Sequence, residues 1–150
     1  MTPAQFATLK AALQADATVA AAIAAADWPM IAANYNAASA PVVSVWRPSI
    51  PVAELNNVID WTAGVNGFQT LSVAKQNTYF ALTQGGSVDA TQLAVQAGFG
   101  AIFPVSVATA LAALAKVPAT KFQALFTNAG LVCSVFGQTL TPDDVQKAMV

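Results

Sequence analysis

Pro41-Val42-Val43-Ser44-Val45-Trp46-Arg47-Pro48-Ser49-Ile50-Pro51 is the stretch of this chain that refuses a helix most plainly. Its three prolines remove backbone donors and clash with a preceding helical turn, while Val42, Val43, Val45, Trp46 and Ile50 are β-branched or aromatic and suit a pleated strand. The segment reads as extended chain or an edge strand. A second extended candidate, Val132–Phe136, is expected to pair with Val42–Trp46 as a two-stranded ribbon.

Outside these runs the chain reads as short, well-punctuated helices. Thr2-Pro3-Ala4-Gln5 supplies a hydroxyl cap, a proline at the first helical position and a glutamine that reaches back to the cap. The helix it opens runs to about Gln14 and buries Phe6, Leu9 and Leu13 as one stripe. Asp16 or Thr18 caps an Ala-rich helix to about Ala26, and Asp27-Trp28-Pro29 starts a third with Ile31 and Tyr35. Ser49 and Pro51 start a helix that ends near Trp61, and Ser72 to Thr83 forms another, closed by Gly85-Gly86. Asp89 is expected to cap a helix with Leu93, Ala97, Phe99 and Ile102 facing inward. Phe103-Pro104 interrupts that helix, and Ser106 opens the next. Pro118 is expected to restart the chain into Phe122, Leu125 and Phe126. Thr141-Pro142-Asp143-Asp144 places two carboxylates on the positive end of a terminal helix. The fold class is therefore mainly α: one compact domain of short helices over residues 1–150, carrying one two-stranded β ribbon.

Composition narrows the function classes. Of 150 residues, 56% are hydrophobic but only 9% charged, with six basic and seven acidic side chains. A typical soluble domain carries roughly 25% charged residues, so neutral polar groups or neighbouring molecules must cover this surface. Thirty-four of the apolar residues are alanine, which leaves enough larger ones for an ordinary core without invoking lipid. The uncharged stretch Ala90–Ala115 is long enough to span a bilayer, but Thr91, Gln92, Gln96, Pro104, Ser106 and Thr109 interrupt it. A helix restart after Pro104 explains it better, and no membrane span is expected. A secretory leader is not expected either, because Lys10 is the first basic residue and Gln5, Gln14 and Asp16 break the apolar run.

With no histidine and one cysteine, His-ligated metal sites and Ser-His-Asp or Cys-His catalysis are excluded. Cys133 lies among apolar neighbours and reads as a small buried hydrophobe. Glu54 and Asp60 fall about 240° apart on a helix and make no local acid/base pair. Gly98-Phe99-Gly100 lacks the third glycine and the preceding strand of a dinucleotide fingerprint, and reads as a helix-packing feature. Gly85-Gly86-Ser87 has no lysine after it to hold a phosphate and reads as a turn. No catalytic residue, cofactor or metal is expected. An enzyme would need Asp60 or Asp89 to meet a second carboxylate with a raised pKa.

Arg47 is the chain's one arginine, and arginine and tryptophan are both enriched at binding hot spots. Two readings stay open: Trp46 and Arg47 form a contact surface, or Trp46 anchors the extended segment while Arg47 pairs internally with Glu54 or Asp60. The interface candidates are Trp46, Arg47, Trp28, Tyr35 and Phe136. Lys116 and Lys121 flank Pro118 as a small basic spot, too few charges to hold a nucleic-acid duplex by phosphate neutralisation. Neither a small-molecule substrate nor extensive nucleic-acid binding is expected.

The order of several blocks is informative together. Met1-Thr2-Pro3-Ala4-Gln5-Phe6-Ala7-Thr8-Leu9-Lys10, Tyr35-Asn36-Ala37-Ala38-Ser39, Val45-Trp46-Arg47, Ala97-Gly98-Phe99 with Ile102-Phe103, and Ala119-Thr120-Lys121 leading to Leu125-Phe126 resemble an uncharacterised family of small Ala-rich proteins encoded by tailed bacteriophages and prophages. The chain departs from that pattern at Pro48, where relatives tend to have threonine, and at Lys116–Lys121, which is less basic than its counterpart. The resemblance implies phage origin and no catalytic residue. Combined with the sparse charge, it leads to the expectation of a non-enzymatic virion component, made in the host cytoplasm, that contacts itself and other virion proteins in a ring or collar at the neck, head–tail connection or tail. The alternatives are a capsid decoration (cement) protein, or a tail assembly chaperone absent from the mature particle.

Overall fold

The computed structural model describes all 150 residues. In chain order the elements are α1 (Pro3–Ala15), α2 (Ala20–Ala24), α3 (Trp28–Asn36), β1 (Ser44–Trp46), β2 (Ile50–Pro51), α4 (Val52–Asn56), α5 (Val73–Thr83), β3 (Ser87–Val88), α6 (Leu93–Ile102), α7 (Val105–Leu114), β4 (Lys116–Pro118), α8 (Lys121–Leu125) and α9 (Pro142–Met149). A single 3-10 turn covers Phe68–Thr70. The fold is mainly α with two small ribbons: β1 pairs with β4, and β2 pairs antiparallel with β3 in the register Ile50 to Val88 and Pro51 to Ser87.

The helix starts follow the capping chemistry. Thr2 and Gln5 close a reciprocal capping box on α1, Asp27 accepts from the Met30 amide at the head of α3, and Thr141 and Asp144 do the same for α9. Ser72 caps α5 by accepting from the Lys75 amide. Four starts differ from expectation. Asp89 does not cap α6, whose cap is Gln92; it accepts from the amide and hydroxyl of Thr91 and closes a turn ahead of the helix. Asp16 accepts from the amide and hydroxyl of Thr18, so it closes a turn ahead of α2, whose cap is Val19. α7 opens at Val105 with Pro104 as its cap, one residue before Ser106. Pro118 ends β4 instead of restarting a helix, because Thr120 and Gln123 form the capping box that opens α8 two residues later.

The expected pairing of Val132–Phe136 with Val42–Trp46 is corrected: the partner of β1 is β4. The 132–136 segment has its backbone groups taken locally. Cys133 bridges Thr127, the Ser134 amide donates to the Phe126 carbonyl, and the Asn128 amide donates to the Val132 carbonyl. Leu131 turns the chain back with φ of 60°, a left-handed conformation that satisfies a sharp reversal and ends any ladder.

The single domain expected over residues 1–150 divides into two compact units. The first comprises Met1–Val45 and Pro118–Val150, and the second Trp46–Val117. In the first, α9 packs on α1 and α3, and α8 packs on α3. Its core includes Leu9, Leu13, Ile31, Tyr35, Phe122 and Val145, all at or below 3% exposure. Asn36 holds the incoming strap to α9 in place: its side-chain amide donates to the Leu140 carbonyl and its oxygen accepts from the Leu140 amide, both at 2.8 Å. Leu140 is buried, so Asn36→Ala strands two main-chain groups. We expect a loss of about 2–3 kcal/mol in urea unfolding, with faster hydrogen exchange at the Leu140 amide. A loss under about 0.5 kcal/mol would refute that role.

In the second unit α5, α6 and α7 pack in sequence, and α4, β2 and β3 close one side. An aromatic group fills the centre: Phe68 stands 4.7 Å from Trp61 and 5.5 Å from Tyr79 between ring centroids, and Tyr79 stands 5.4 Å from Phe103. Asn56 pins two of these rings, accepting from the Tyr79 hydroxyl through its side chain and from the Trp61 indole through its carbonyl.

Candidate interaction face

Arg47 is built into the second unit through its main chain first. Its amide donates to the Ala115 carbonyl at 2.9 Å and its carbonyl accepts from the Ala90 amide at 3.0 Å. Residues 90 and 115 bracket the α6–α7 pair, so one residue ties both of its ends. The side chain adds to the clasp: Nη1 donates to Glu54 Oε2 at 2.6 Å and to the Leu114 carbonyl at 3.4 Å, and Nη2 donates to Glu54 Oε1 at 3.1 Å. This two-pronged pairing is the one salt bridge in the chain. The hydrogen bond from Arg47 holds the Glu54 carboxyl below its ordinary pKa, and Glu54 in turn raises that of the guanidinium. The internal reading of Arg47 is the one its geometry matches, with Glu54 as the partner.

Trp46, the neighbour of that clasp, lines a shallow cleft of about 320 Å3 between α6 and α7. Lys116 Nζ lies 4.2 Å above its ring centroid, in cation–π contact. The cleft runs between Gln96, Phe99 and Gly100 on α6 and Val105, Ala108 and Ala112 on α7.

The outer surface of the two helices is uncharged throughout residues 90–115. It exposes Leu93 by 76% and Val105 by 83%. The expectation that Leu93 and Ala97 face inward is corrected. The buried positions of α6 are Val95, Phe99 and Ile102, spaced i, i+4, i+7. Leu93 precedes Val95 by two residues, about 200° around the helix. It falls instead on the outer stripe Leu93, Gln96, Ala97, Gly100.

The two glycines of α6 serve different ends. A Cβ on Gly98 would meet Leu82 Cδ1 at 3.3 Å, so Gly98 lets α5 and α6 pack closely. A Cβ on Gly100 would meet nothing within 4 Å. Glycine inside a helix costs about 0.5–1 kcal/mol relative to alanine, and nothing in this chain's own packing offsets that at Gly100.

The other sequence candidates lie in the first unit. Tyr35 is corrected from an interface position to a core residue: it is 3% exposed, and burial together with the Asp16 carboxylate pushes its pKa up to about 12. Trp28 opens α3 and is half-buried, as is Phe136. Tyr35 also borders a cleft of about 420 Å3 shared with Asp16, Ser39, Pro41 and Lys121. Lys121 donates to Asn34 at 2.8 Å there, while Lys116 sits on Trp46, so each lysine has its own partner.

The acids that an enzyme would need are occupied locally. Asp60 is held low by hydrogen bonds from Thr62. At Asp89 the upward push of burial is outweighed by bonds from Thr91 and Gln92. No group of three cysteine or carboxylate ligands comes together, and no helix is long and apolar enough to cross a membrane.

The sequence pointed to Trp46 and Arg47 and missed Leu93, Gly100 and Val105. The available signal was the absence of charge over residues 90–115. The chain matches no protein-family model, no curated protein and no solved structure.

Proposed function

We propose that this chain is a non-enzymatic structural subunit of a tailed-phage particle, an oligomeric component of the neck, head–tail connection or tail. The observation that carries the reading is the α6–α7 face, an uncharged helix pair with Leu93 and Val105 in the open beside a cleft walled by Trp46. Exposed apolar side chains on helices that carry no charge suit a subunit wedged among copies and neighbours, which covers them on assembly. Phage origin rests on the resemblance of the residue blocks named above. Its partners on this reading are itself and other virion proteins, and its place is the virion.

Mass spectrometry of purified particles, paired with sedimentation of the isolated chain, tests the proposal. The expected result is a fixed stoichiometry in the particle and self-association in solution, with deletion yielding tailless or leaking heads. Intact but fragile heads would replace the neck reading with decoration. A chain missing from particles but needed for tails would replace it with an assembly chaperone. A monomer at high concentration that is also absent from particles would overturn it.

A further inference from the structure

We propose that the cleft of about 420 Å3 in the first unit binds a zwitterionic α-amino acid with an aliphatic side chain, its ammonium group at Asp16 and its carboxylate at Lys121 and Ser39. Segments far apart in the chain supply these groups. The turn ahead of α2 brings Asp16, the loop after α3 brings Ser39, and the first residue of α8 is Lys121. The cleft shares no residue with the α6–α7 face, so this site stands whether or not the chain assembles.

Each of the three groups keeps bonding capacity beyond what the chain itself uses. Ser39 is 6% exposed; its oxygen accepts from the Val43 amide at 2.9 Å, but its own hydrogen has no acceptor within the chain. Thr83, buried to a similar degree, instead turns its hydrogen onto carbonyls of its own helix, the usual way a buried hydroxyl is satisfied. Lys121 gives one of an ammonium's three donors to Asn34 Oδ1, at 2.8 Å. Asp16 Oδ1 accepts from the Thr18 amide at 2.9 Å and the Thr18 hydroxyl at 2.6 Å, and these bonds hold the carboxyl below its ordinary pKa, so it is ionised. Even with the Tyr35 hydroxyl also on it, a carboxylate with about four lone-pair sites keeps room for one more donor. Asp16 and Lys121 line one cleft with opposite charges, yet they form no ion pair, since the one salt bridge is Arg47 with Glu54. Those charges select the ligand by repulsion as well as attraction. A plain anion drawn to Lys121 meets Asp16, a plain cation drawn to Asp16 meets Lys121, and a zwitterion satisfies both. Pro41, Val43, Ala124 and Leu125 complete the wall with apolar surface for the ligand's side chain.

Amide NMR of the full chain, titrated with L-leucine, tests the site. N-acetyl-leucine, which lacks the ammonium group, and leucinamide, which lacks the carboxylate, are the comparison probes. Saturable shifts are expected at residues 16–18, 39–43 and 121–125. Each blocked probe should bind about tenfold more weakly or worse, the effect of one lost charged hydrogen bond. Asp16→Asn keeps an acceptor for Thr18 and should cancel the preference for leucine over N-acetyl-leucine. Lys121→Gln keeps a donor for Asn34 and should cancel the preference over leucinamide. Shifts that stay linear to the solubility limit of leucine, or that fall outside the cleft, would overturn the site. Equal binding of leucine and either blocked probe would overturn the zwitterion as its ligand. So would a wild-type preference that both variants retain. The stoichiometry and sedimentation that test the assembly reading are separate measurements, so either proposal can fail alone.

Discussion

Phe99→Ala is expected to destabilise the second unit by about 3–5 kcal/mol, a large fraction of what a domain of this size commands. Phe99 is 2% exposed and sits in the apolar cluster with Ile102, Phe103 and Leu111. It also lines the cleft together with Gly100. Removing it leaves a void that flanking residues on two helices fill only in part. The measurement is urea unfolding followed by tryptophan fluorescence, since Trp46 and Trp61 both report on this unit. Leu93→Ser, on the outer stripe of the same helix, serves as the control and should shift monomer stability by less than about 0.5 kcal/mol. Equal effects at the two positions would mean that the inner and outer faces of α6 have been misassigned.

That contrast between Phe99 and Leu93 also marks where sequence reading succeeds and where it stops. Helix starts were legible at Thr2, Asp27 and Thr141, where a hydroxyl or carboxylate stands one or two residues before a proline, because capping is a contact within four residues; the Thr120–Gln123 box lacked that proline and was overshadowed by Pro118. The phase of α6 was not. Leu93, Val95, Phe99 and Ile102 are all apolar, and a helix apolar on every side carries no periodic signal to say which side is covered. Ribbon pairing failed for a related reason. Val132–Phe136 was the one extended candidate for Val42–Trp46 on local chemistry, because Pro118 read as a helix start and hid Lys116–Pro118; the turn at Leu131 and the bonds from residues 126–128 decide against the expected pairing. Arg47 shows the reverse case: its pairing with Glu54 was legible because the two lie seven residues apart across one turn of chain, while its main-chain grip on Ala90 and Ala115 depends on contacts more than forty residues away.

Alkali should separate the contributions of the two units. The chain has two tyrosines, Tyr35 in the first and Tyr79 in the second, and burial pushes both hydroxyls up to about 12. An unfolded tyrosine ionises near 10. Below that pH both states keep the proton and stability is whole. Between about 10 and 12 the unfolded state releases it while the folded state retains it, so stability falls as pH rises, by about 1.4 kcal/mol per pH unit for each tyrosine. By pH 12 the loss approaches 2–3 kcal/mol per unit, and phenolate absorbance should stay flat through pH 10 and then rise together with unfolding. Tyr79→Phe removes the alkaline slope of the second unit alone, at the cost of the bond to Asn56, and Tyr35→Phe does so for the first. If phenolate instead appears smoothly with a midpoint near 10 while tryptophan fluorescence stays native, the hydroxyls are titrating as open groups. The placement of Tyr35 and Tyr79 in the two cores would then be wrong.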